Sequence, residues 1–252
     1  KSWKVTPPSW RSDLQAPWDL VEEVARLIGY DSIPSILPPR PNHASLTNKQ
    51  KLRRALSTEL ADRGFVEVQT FPFVNEGVVE AMGYTGARAK SYRIANPMSE
   101  DTPVLRTHLL PGLAAVASRN IGRGAKNFAI FEVGSIFRNT QDLAPAISPE
   151  LGKRPSQKDI DAIFNSVPAQ LTHLGAILIG NVEGDSWRGK SRAFEWSDAI
   201  GFAQDLLRTA GLTWTIARSD FAPWHPGRCA ELLVDGTPVA HAGELHPRVV
   251  SQ

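Results

Sequence analysis

The pattern of apolar and polar positions divides the chain into helical and extended segments. Apolar residues at helical spacing predict helices at residues 19–28, 47–63, 111–121 and 199–212. Alternation or short apolar runs predict strands at residues 65–74, 128–137 and 174–182, and Asp235-Gly236 predicts a hairpin joining residues 230–234 and 239–243. Residues 143–168 are polar and proline-containing, which indicates a loop with a short helix. Because strands and helices do not alternate strictly, we expect an α+β fold, an antiparallel sheet flanked by helices, rather than a Rossmann fold.

A proline-rich segment separates two parts of the chain. Residues 33–41 contain four prolines and predict an extended linker. The first helix, which Gly29 is expected to end, precedes this linker. The second begins after Thr47, an expected N-cap that forms a capping box with Gln50. We therefore place domains at residues 1–40 and 41–252.

Composition and charge narrow the functional classes. Lys and Arg total 28 against 26 Asp and Glu, so the net charge of +2 leaves no electrostatic footprint for nucleic acid. The longest apolar run, residues 174–182, is far below the roughly 20 residues of a membrane-spanning helix. The single cysteine, Cys229, excludes an internal disulfide and favours the cytoplasm. The chain opens Lys1-Ser2-Trp3 without an initiator Met or a signal-type segment, so we expect a piece of a longer protein.

Four carboxylates within eleven residues form the first candidate site: Asp13, Asp19, Glu22 and Glu23. With no Cys or His among them, this set suits a hard cation such as Mg²⁺. The alternative is helix capping, in which Asp19 is the N-cap, Glu22 completes a capping box and the acidic first turn complements the helix dipole. The local sequence alone favours capping, and a metal needs support from elsewhere.

Arg138 is the second candidate, at the end of the predicted strand 128–137. An Arg in this position can reach a phosphate. The alternative is a side chain that is solvated or paired at the sheet rim. This alternative is favoured, because charged side chains are generally exposed.

A third group comprises His225, Cys229, His241 and His246, whose spacing matches no zinc pattern. Residues 225–227 and 246–247 indicate turns, so a structural role is favoured over zinc binding or thiol catalysis. The sequence also lacks GxGxxG, GxxxxGK[ST], HExxH and GxSxG motifs. The seven tryptophans are scattered, which favours anchoring in a core or an interface over base stacking.

Motifs in a fixed order along nearly the whole chain resemble the β subunit of bacterial phenylalanyl-tRNA synthetases. They are Pro8 to Asp13 (PSWRSD), Asp19 to Tyr30 (DLVEEVARLIGY), Ile33-Pro34, Asn96 to Ser99 (NPMS), Leu105 to Thr107 (LRT), Leu109 to Leu113 (LLPGL), Phe131 to Gly134 (FEVG), His225 to Arg228 (HPGR) and Gly243 to Pro247 (GELHP). A single motif is weak, but the ordered set is highly specific.

This resemblance implies a fold and a loss of catalysis. Residues 1–40 would be the end of a small winged-helix-like domain, and residues 41–252 a truncated module like the catalytic domain of class II aminoacyl-tRNA synthetases. The helix from Thr47 and its following strand resemble the first class II motif, which builds subunit interfaces. Residues 134–139 look like a decayed second motif, with Thr140 where an active enzyme has Glu, and the ATP-binding third motif is not present by Gln252.

The resemblance also implies cofactors and partners. Family Mg²⁺ ligands shared with the α subunit would fall on Asp13, Asp19, Glu22 and Glu23, which reverses the preference for capping. The segment would scaffold the α subunit, which uses ATP to attach phenylalanine to tRNA(Phe), in a heterotetramer of two α and two β subunits. It would not itself be catalytic, and tRNA(Phe) would bind mainly to domains outside it.

Two other functions stay open. The first is an autonomous class II-like, ATP-dependent ligase in which Arg138 and a second convergent Arg contact phosphate. The second is a nucleic-acid-binding adaptor with a clustered basic face. That face would comprise Lys1, Lys4, Arg11, Arg26 and Arg40.

Overall fold

The computed structural model describes residues 3–39, 45–138, 143, 145–182, 184–187 and 189–251. The chain divides into two compact units, Lys1–Ser45 and Leu46–Gln252. None of the helices in the described part of the chain combines the length and the hydrophobicity that a membrane span needs.

The first unit contains one α-helix, α1 (Pro17–Ile28), followed by a 3₁₀ turn at Tyr30–Ser32. Pro17 begins the helix, where its missing N–H is tolerated, and Gly29 ends it with a φ of 99°. None of the helix residues is buried within the chain. Most of its large apolar side chains are exposed, namely Trp18, Val21, Val24, Leu27 and Ile28, whereas Leu20 is half-buried. The described part of this unit contains no strand.

The second unit carries the remaining elements. Its helices are α2 (Asn48–Asp62), α3 (Val78–Ala81), α4 (Leu110–Gly122), α5 (Gln157–Asn165), α6 (Trp196–Thr209) and α7 (Pro247–Val250). Its strands are β1 (Val66–Glu67), β2 (Phe73–Val74), β3 (Val104–Leu105), β4 (Phe128–Phe137), β5 (Gln170–Ile179), β6 (Thr215–Arg218), β7 (Trp224–Val234) and β8 (Thr237–Leu245).

The described strands form three small sheets. β4 pairs antiparallel with β5 over ten residues, and β1 joins the other edge of β4 in parallel. β6, β7 and β8 form an antiparallel sheet, and β2 pairs with β3. The α+β class is therefore confirmed, while the expected antiparallel sheet is divided and contains one parallel pair.

Local sequence signals located most elements correctly. The Oγ1 atom of Thr47 accepts a hydrogen bond from the Gln50 N–H at 3.3 Å, and the Gln50 side chain accepts one from the Thr47 N–H at 2.9 Å, which confirms the capping box. The hairpin turn is also confirmed, because Asp235 and Gly236 have φ values of 49° and 76°, as a type I′ turn requires.

The predicted strand at residues 65–74 is wrong. Only Val66–Glu67 pairs with β4, and Phe73–Val74 pairs instead with β3 in another sheet. Between them, the Thr70 hydroxyl donates to Glu132 and the Pro72 carbonyl accepts the Arg106 N–H. These contacts bend the chain from one sheet to the next.

The two faces of β4 lie against different helices. Ile130 and Ile136 belong to a buried cluster with Leu113 of α4, and Phe131 belongs to a second cluster with Leu60 of α2. A glycine in β5 favours the close approach of α4, since a Cβ on Gly175 would lie 3.0 Å from the Cβ of Leu109, the N-cap of α4, and 3.1 Å from Leu113 Cδ1. The sheet of β1, β4 and β5 is thus the centre of the second unit.

Candidate functional sites

Two members of the acidic set share one arginine. The Arg11 guanidinium donates to Asp13 at 2.7 Å and to Glu23 at 2.5 Å, and Arg26 donates to Glu23 at 2.6 Å. Hydrogen bonds from Arg11 hold the pKa of Asp13 below its usual value, and those from Arg11 and then Arg26 lower the pKa of Glu23 to about 2. Both carboxylates are therefore ionised at neutral pH and converge on a cationic group.

The other two members have separate partners. Asp19 is the third residue of α1 rather than its N-cap, and its carboxylate accepts the backbone N–H groups of Gln15 at 2.8 Å and Ala16 at 2.7 Å. Glu22 accepts the Tyr30 hydroxyl at 3.1 Å and does not complete a capping box. The specific capping roles predicted for these two residues are wrong, because Ala16 occupies the N-cap and Asp19 caps from within the first turn.

The four side chains offer only oxygen donors, which is the chemistry that Mg²⁺ prefers. In the arrangement described, however, Arg11 fills the position between Asp13 and Glu23, and Asp19 and Glu22 are bonded elsewhere. The described residues contain no group of three or more His, Cys, Asp or Glu side chains placed to hold a metal. The donor set thus fits a hard cation, whereas a complete cage needs Arg11 to move and further ligands.

A buried ion pair in the second unit was not anticipated from the sequence. Arg106 Nη1 lies 2.7 Å from Glu132 Oε1, and Arg106 and Glu132 are only 5% and 3% exposed. The Thr70 hydroxyl accepts from Arg106 at 2.8 Å and donates to Glu132 at 2.7 Å, while Arg106 Nε donates to the Ser135 carbonyl at 2.8 Å. The signal for this network was the charged Glu132 inside an apolar strand, because a buried charge requires a partner. Its polar groups are satisfied internally, so it joins three chain segments.

Arg138 follows β4 and lies in a group of basic and aromatic side chains, here called the cationic cluster: Tyr84, Arg88, His108, Arg138, His173, Phe221 and His241. The predicted solvated or paired side chain at the sheet rim agrees with the structure only in part. Arg138 is half-buried, and its Nε atom is buried with no hydrogen-bond partner among the described residues. The positive charge of Arg138 acts to lower the pKa values of Tyr84, Arg88 and His108. Asn139 and Thr140, the next positions of the motif, lie outside the described residues.

Arg88 contacts three other members of the cationic cluster, Tyr84, His108 and Phe221. Its guanidinium carbon lies 4.8 Å from the ring centroid of Tyr84 and 4.9 Å from that of Phe221, distances typical of cation–π contacts. Its Nε donates to His108 Nε2 at 3.4 Å, and the His108 ring stacks on Tyr84 at 3.9 Å. Arg88 is therefore held by aromatic and histidine contacts within the protein.

The histidines of the cationic cluster are neutral. Burial, followed by the charges of Arg88, Arg138 and His173, lowers the pKa of His108 to about 3. Burial and Arg138 also lower the pKa of His173, and burial is the main cause of the lowered pKa of His241. A neighbouring depression of about 330 Å³ shares Tyr84 but is lined by Glu76 and Glu80, so its lining does not suit an anion.

The remaining Cys and His candidates have structural surroundings. Cys229 is buried, and burial raises the pKa of its thiol to about 11, so little thiolate forms at neutral pH. The predicted turn at residues 225–227 is wrong, because these residues lie in β7 beside a register irregularity between Trp224 and Cys229. His246 is the N-cap of α7 and Pro247 its first residue, so the predicted turn at residues 246–247 is instead the start of a helix. These positions do not assemble a thiol nucleophile or a metal group within the part of the chain described.

The structure gives little support to the predicted basic face of the first unit. Arg11 and Arg26 are both bonded to carboxylates, which offsets their charges, and Lys1 and Arg40 lie outside the described residues. Core anchoring is also wrong for five of the seven tryptophans, which are exposed within this chain: Trp3, Trp10, Trp18, Trp187 and Trp196.

The fold has a counterpart among solved structures. A pyrrolysyl tRNA synthetase from Desulfitobacterium hafniense aligns with 81% of this chain and 61% of its own, with a TM-score of 0.53 and 17% sequence identity. Most of the chain therefore shares its fold with a tRNA synthetase.

Sequence comparisons narrow this class. Residues 33–252 match the family described as phenylalanyl tRNA synthetase beta chain CLM domain, and residues 1–30 match the tRNA synthetase B5 domain. The chain belongs to the family of phenylalanyl-tRNA synthetase β chains, which confirms the resemblance found in its motifs.

Curated relatives carry the same family name. Phenylalanine–tRNA ligase beta subunits from Thermobifida fusca, Streptomyces avermitilis and Corynebacterium glutamicum are 44%, 41% and 40% identical to the chain. These alignments cover 98%, 98% and 99% of the chain but 31%, 30% and 30% of the relatives. The chain thus spans about a third of the length of the proteins that it matches.

Proposed function

We propose that this chain is a β-subunit segment of a phenylalanine–tRNA ligase, which scaffolds an α catalytic subunit for ATP-dependent attachment of phenylalanine to tRNA(Phe). The observation that carries the proposal is the family match over residues 33–252. The segment contributes to a ligase without performing its chemistry. ATP is used by the α subunit, and tRNA(Phe) binds mainly to domains outside this segment, in the cytoplasm.

The described side chains support a scaffold rather than an autonomous ligase. The buried pair Arg106–Glu132 at the central sheet is fully bonded to the protein itself, and no substrate is needed to compensate its charges. The cationic cluster contains no carboxylate among its seven members, so it offers no ligand for the Mg²⁺ that accompanies ATP. These features favour a structural role over ATP chemistry.

The first unit supplies a proposed metal contribution. Asp13, Asp19, Glu22 and Glu23 would be this chain's oxygen donors to a Mg²⁺ ion shared with the α subunit. The convergence of Asp13 and Glu23 on Arg11 supports part of this set, because it marks a position for a positive charge. We assign residues 1–40 to the end of a winged-helix-like domain and residues 41–252 to a truncated class II-like module.

The helix α2 is our candidate for contact with the α subunit and with the second β subunit of a heterotetramer. Only Leu60 of this helix is buried within the chain. Leu52 is 42% exposed, whereas much of the surrounding surface is polar and basic, including Lys49, Arg53 and Arg54. The interface expected here is therefore mixed, with one apolar anchor, rather than broadly apolar.

Co-purification followed by an activity assay tests the scaffold. The tagged chain should retain the α subunit from the same organism, yet alone it should not catalyse phenylalanine-dependent exchange of pyrophosphate into ATP. Leu52→Glu should weaken capture of the α subunit, because it places a charge in the proposed contact. Val239→Glu, at an exposed position of β8, is the matched control and should leave capture unchanged.

Two results would contradict the proposal. One is a folded chain that fails to retain the α subunit at micromolar concentrations of both proteins. The other is ATP turnover by the chain alone that is lost in Arg138→Met, which would establish the ligase alternative.

A further inference from the structure

We propose that the first two turns of α2 dock on an acidic surface of the α subunit. These turns comprise residues 48–55 and are here called the basic turns. The inference rests on the proposed function and deepens it, because that function leaves two partners for α2, the α subunit and the second β subunit. The charge and exposure of the basic turns distinguish between these partners.

The basic turns carry four positive charges within eight positions that contain no acidic residue: Lys49, Lys51, Arg53 and Arg54. Among the described residues, no carboxylate forms an ion pair with any of the four. At the other end of the same helix, by contrast, Arg63 lies 2.6 Å from Glu59. The described carboxylates of this chain therefore leave the charge of the basic turns uncompensated.

This charge opposes the local stability of the helix. The helix dipole disfavours positive side chains near the N-terminus, and the first turn of α2 contains no acidic residue. Lys49 and Arg53 are four positions apart, and Lys51 and Arg54 are three positions apart. Like charges at these spacings repel one another on a helix surface. The positive charges thus carry a local cost that helix formation does not explain.

The basic turns also have few contacts within the chain. Residues 45–55 are all exposed, and Leu60 is the one helix residue that is buried. Arg53 donates to the Val133 carbonyl at 3.3 Å, which ties the helix to β4. The contacts described give Lys51 and Arg54 no such role. Because a helical segment that is exposed on all sides gains little stability from packing, this surface is available to a partner.

Like charges argue against a symmetric contact between two copies of this helix. In a two-fold symmetric interface, the same surface of both β subunits would meet, so the basic turns of one copy would face those of the other. That arrangement brings two sets of uncompensated positive charges together, which is unfavourable. An acidic surface on the α subunit turns the same charges into an attraction. The charge therefore assigns the basic turns to the α subunit.

The composition of the basic turns favours a protein surface over the phosphate backbone of RNA. Leu46 and Leu52, which are 44% and 42% exposed, add apolar area beside the cations. An apolar contact surrounded by polar and charged residues is typical of protein interfaces. Surfaces that bind single-stranded RNA commonly stack bases on aromatic side chains, and residues 48–55 contain none. The partner surface is therefore acidic and offers an apolar contact for Leu52.

The affinity of the chain for the α subunit of the same organism, measured by biolayer interferometry at two salt concentrations, tests the inference. Lys51→Glu/Arg54→Glu reverses two exposed charges and leaves the contact between Arg53 and β4 in place. We expect this variant to bind at least tenfold more weakly at about 0.1 M salt, where screening acts over about 10 Å. At about 1 M salt, where the screening length is about 3 Å, the difference in affinity should largely disappear.

A matched control separates docking from general charge and from folding. Arg154→Glu/Lys158→Glu reverses two exposed charges before and within the first turn of α5, and it should leave the affinity within a factor of two. In thermal unfolding, Lys51→Glu/Arg54→Glu should melt at or above the temperature of the unmodified chain, because it relieves repulsion near the helix N-terminus. If it unfolds instead, the neutral variant Lys51→Gln/Arg54→Gln replaces it and should weaken binding several-fold.

The outcomes separate this inference from the proposed function. Equal affinity of the unmodified chain and Lys51→Glu/Arg54→Glu for the α subunit at low salt, or equal losses in both reversed variants, overturns the inference and leaves the scaffold intact. A variant that keeps its affinity for the α subunit but loses self-association, or loses binding of unfractionated tRNA in fluorescence anisotropy, also overturns it. A folded chain that does not bind the α subunit at either salt concentration contradicts the proposed function, and the inference falls with it.

Discussion

Removing one partner of the buried pair Arg106–Glu132 should destabilise the chain severely. Their side chains are 6% and 4% exposed, so almost no water is available to compensate a charge that loses its partner. Glu132→Gln preserves the shape of the side chain and the hydrogen bond from Thr70, but it leaves the Arg106 guanidinium buried without a counter-charge. Arg106→Met has the converse effect on Glu132 and also releases the Ser135 carbonyl.

The expected magnitudes follow from these contacts. Each single substitution should lower the free energy of unfolding by about 3–5 kcal/mol, the usual cost of leaving one buried charge unpaired. The double variant Arg106→Met/Glu132→Gln contains no unpaired charge. Its main defect is the unsatisfied Ser135 carbonyl, which costs about 1–3 kcal/mol. The effects of the two substitutions should therefore be strongly non-additive, with a coupling of at least about 3 kcal/mol.

Urea unfolding followed by circular dichroism measures these free energies. The exposed pair Arg228–Glu244, with an N–O distance of 2.8 Å and side chains 53% and 40% exposed, provides the control. Glu244→Gln should cost no more than about 1 kcal/mol. Losses below 1 kcal/mol for Glu132→Gln, or additive effects in the double variant, would refute the reasoning, because both would mean that water reaches the pair.

Three further predictions concern other parts of the chain. Gly134→Ala should lower the melting temperature of the chain, since a Cβ at residue 134 would lie 2.3 Å from Arg106 Nη2. Gly201→Ala, in the open interior of α6, should raise the melting temperature. The opposite order of melting temperatures in thermal unfolding would contradict both expectations. The free energy of unfolding should fall as the pH drops from 6.5 towards 3, and His108 should contribute up to about 1.4 kcal/mol per pH unit. The reason is that the His108 imidazole, with a pKa of about 3, stays neutral in the folded state while it binds a proton in the unfolded state. His108→Gln should reduce this slope in urea titrations at several pH values. Arg11→Gln should increase Mg²⁺ binding in equilibrium dialysis, because it frees the two carboxylates that the guanidinium bridges; unchanged binding would argue against a cation position there.

Elements with strong local signals were predictable from the sequence. The capping box at Thr47, the Asp235-Gly236 turn and the apolar run of β4 each depend on residues close together in the chain. The ordered motifs likewise identified the family correctly, because they span nearly the whole sequence. The segment at residues 65–74 failed because its two ends pair with different partner strands, Val66 with β4 and Phe73 with β3.

The candidate sites likewise include features that the sequence showed and features that only the structure showed. The acidic set was visible because its members lie within eleven residues, but the sequence did not show that Arg11 bridges two of them. Arg138 was singled out by its position after a strand, whereas its neighbours Arg88 and Phe221 lie 50 and 83 residues away along the chain. Such a cluster has no periodicity or spacing by which a sequence reveals it.

The sequence by itself determined the α+β class, the positions of the main helices and strands, and membership of a synthetase family. These properties follow from local hydrogen bonding, side-chain periodicity and the order of motifs. Only the tertiary structure decided which strands pair, which charges are buried together and which polar atoms lack partners. The physical reason is that burial and electrostatic interaction depend on distances in space, and the contact between Arg106 and Glu132 joins residues that are 26 positions apart in the chain.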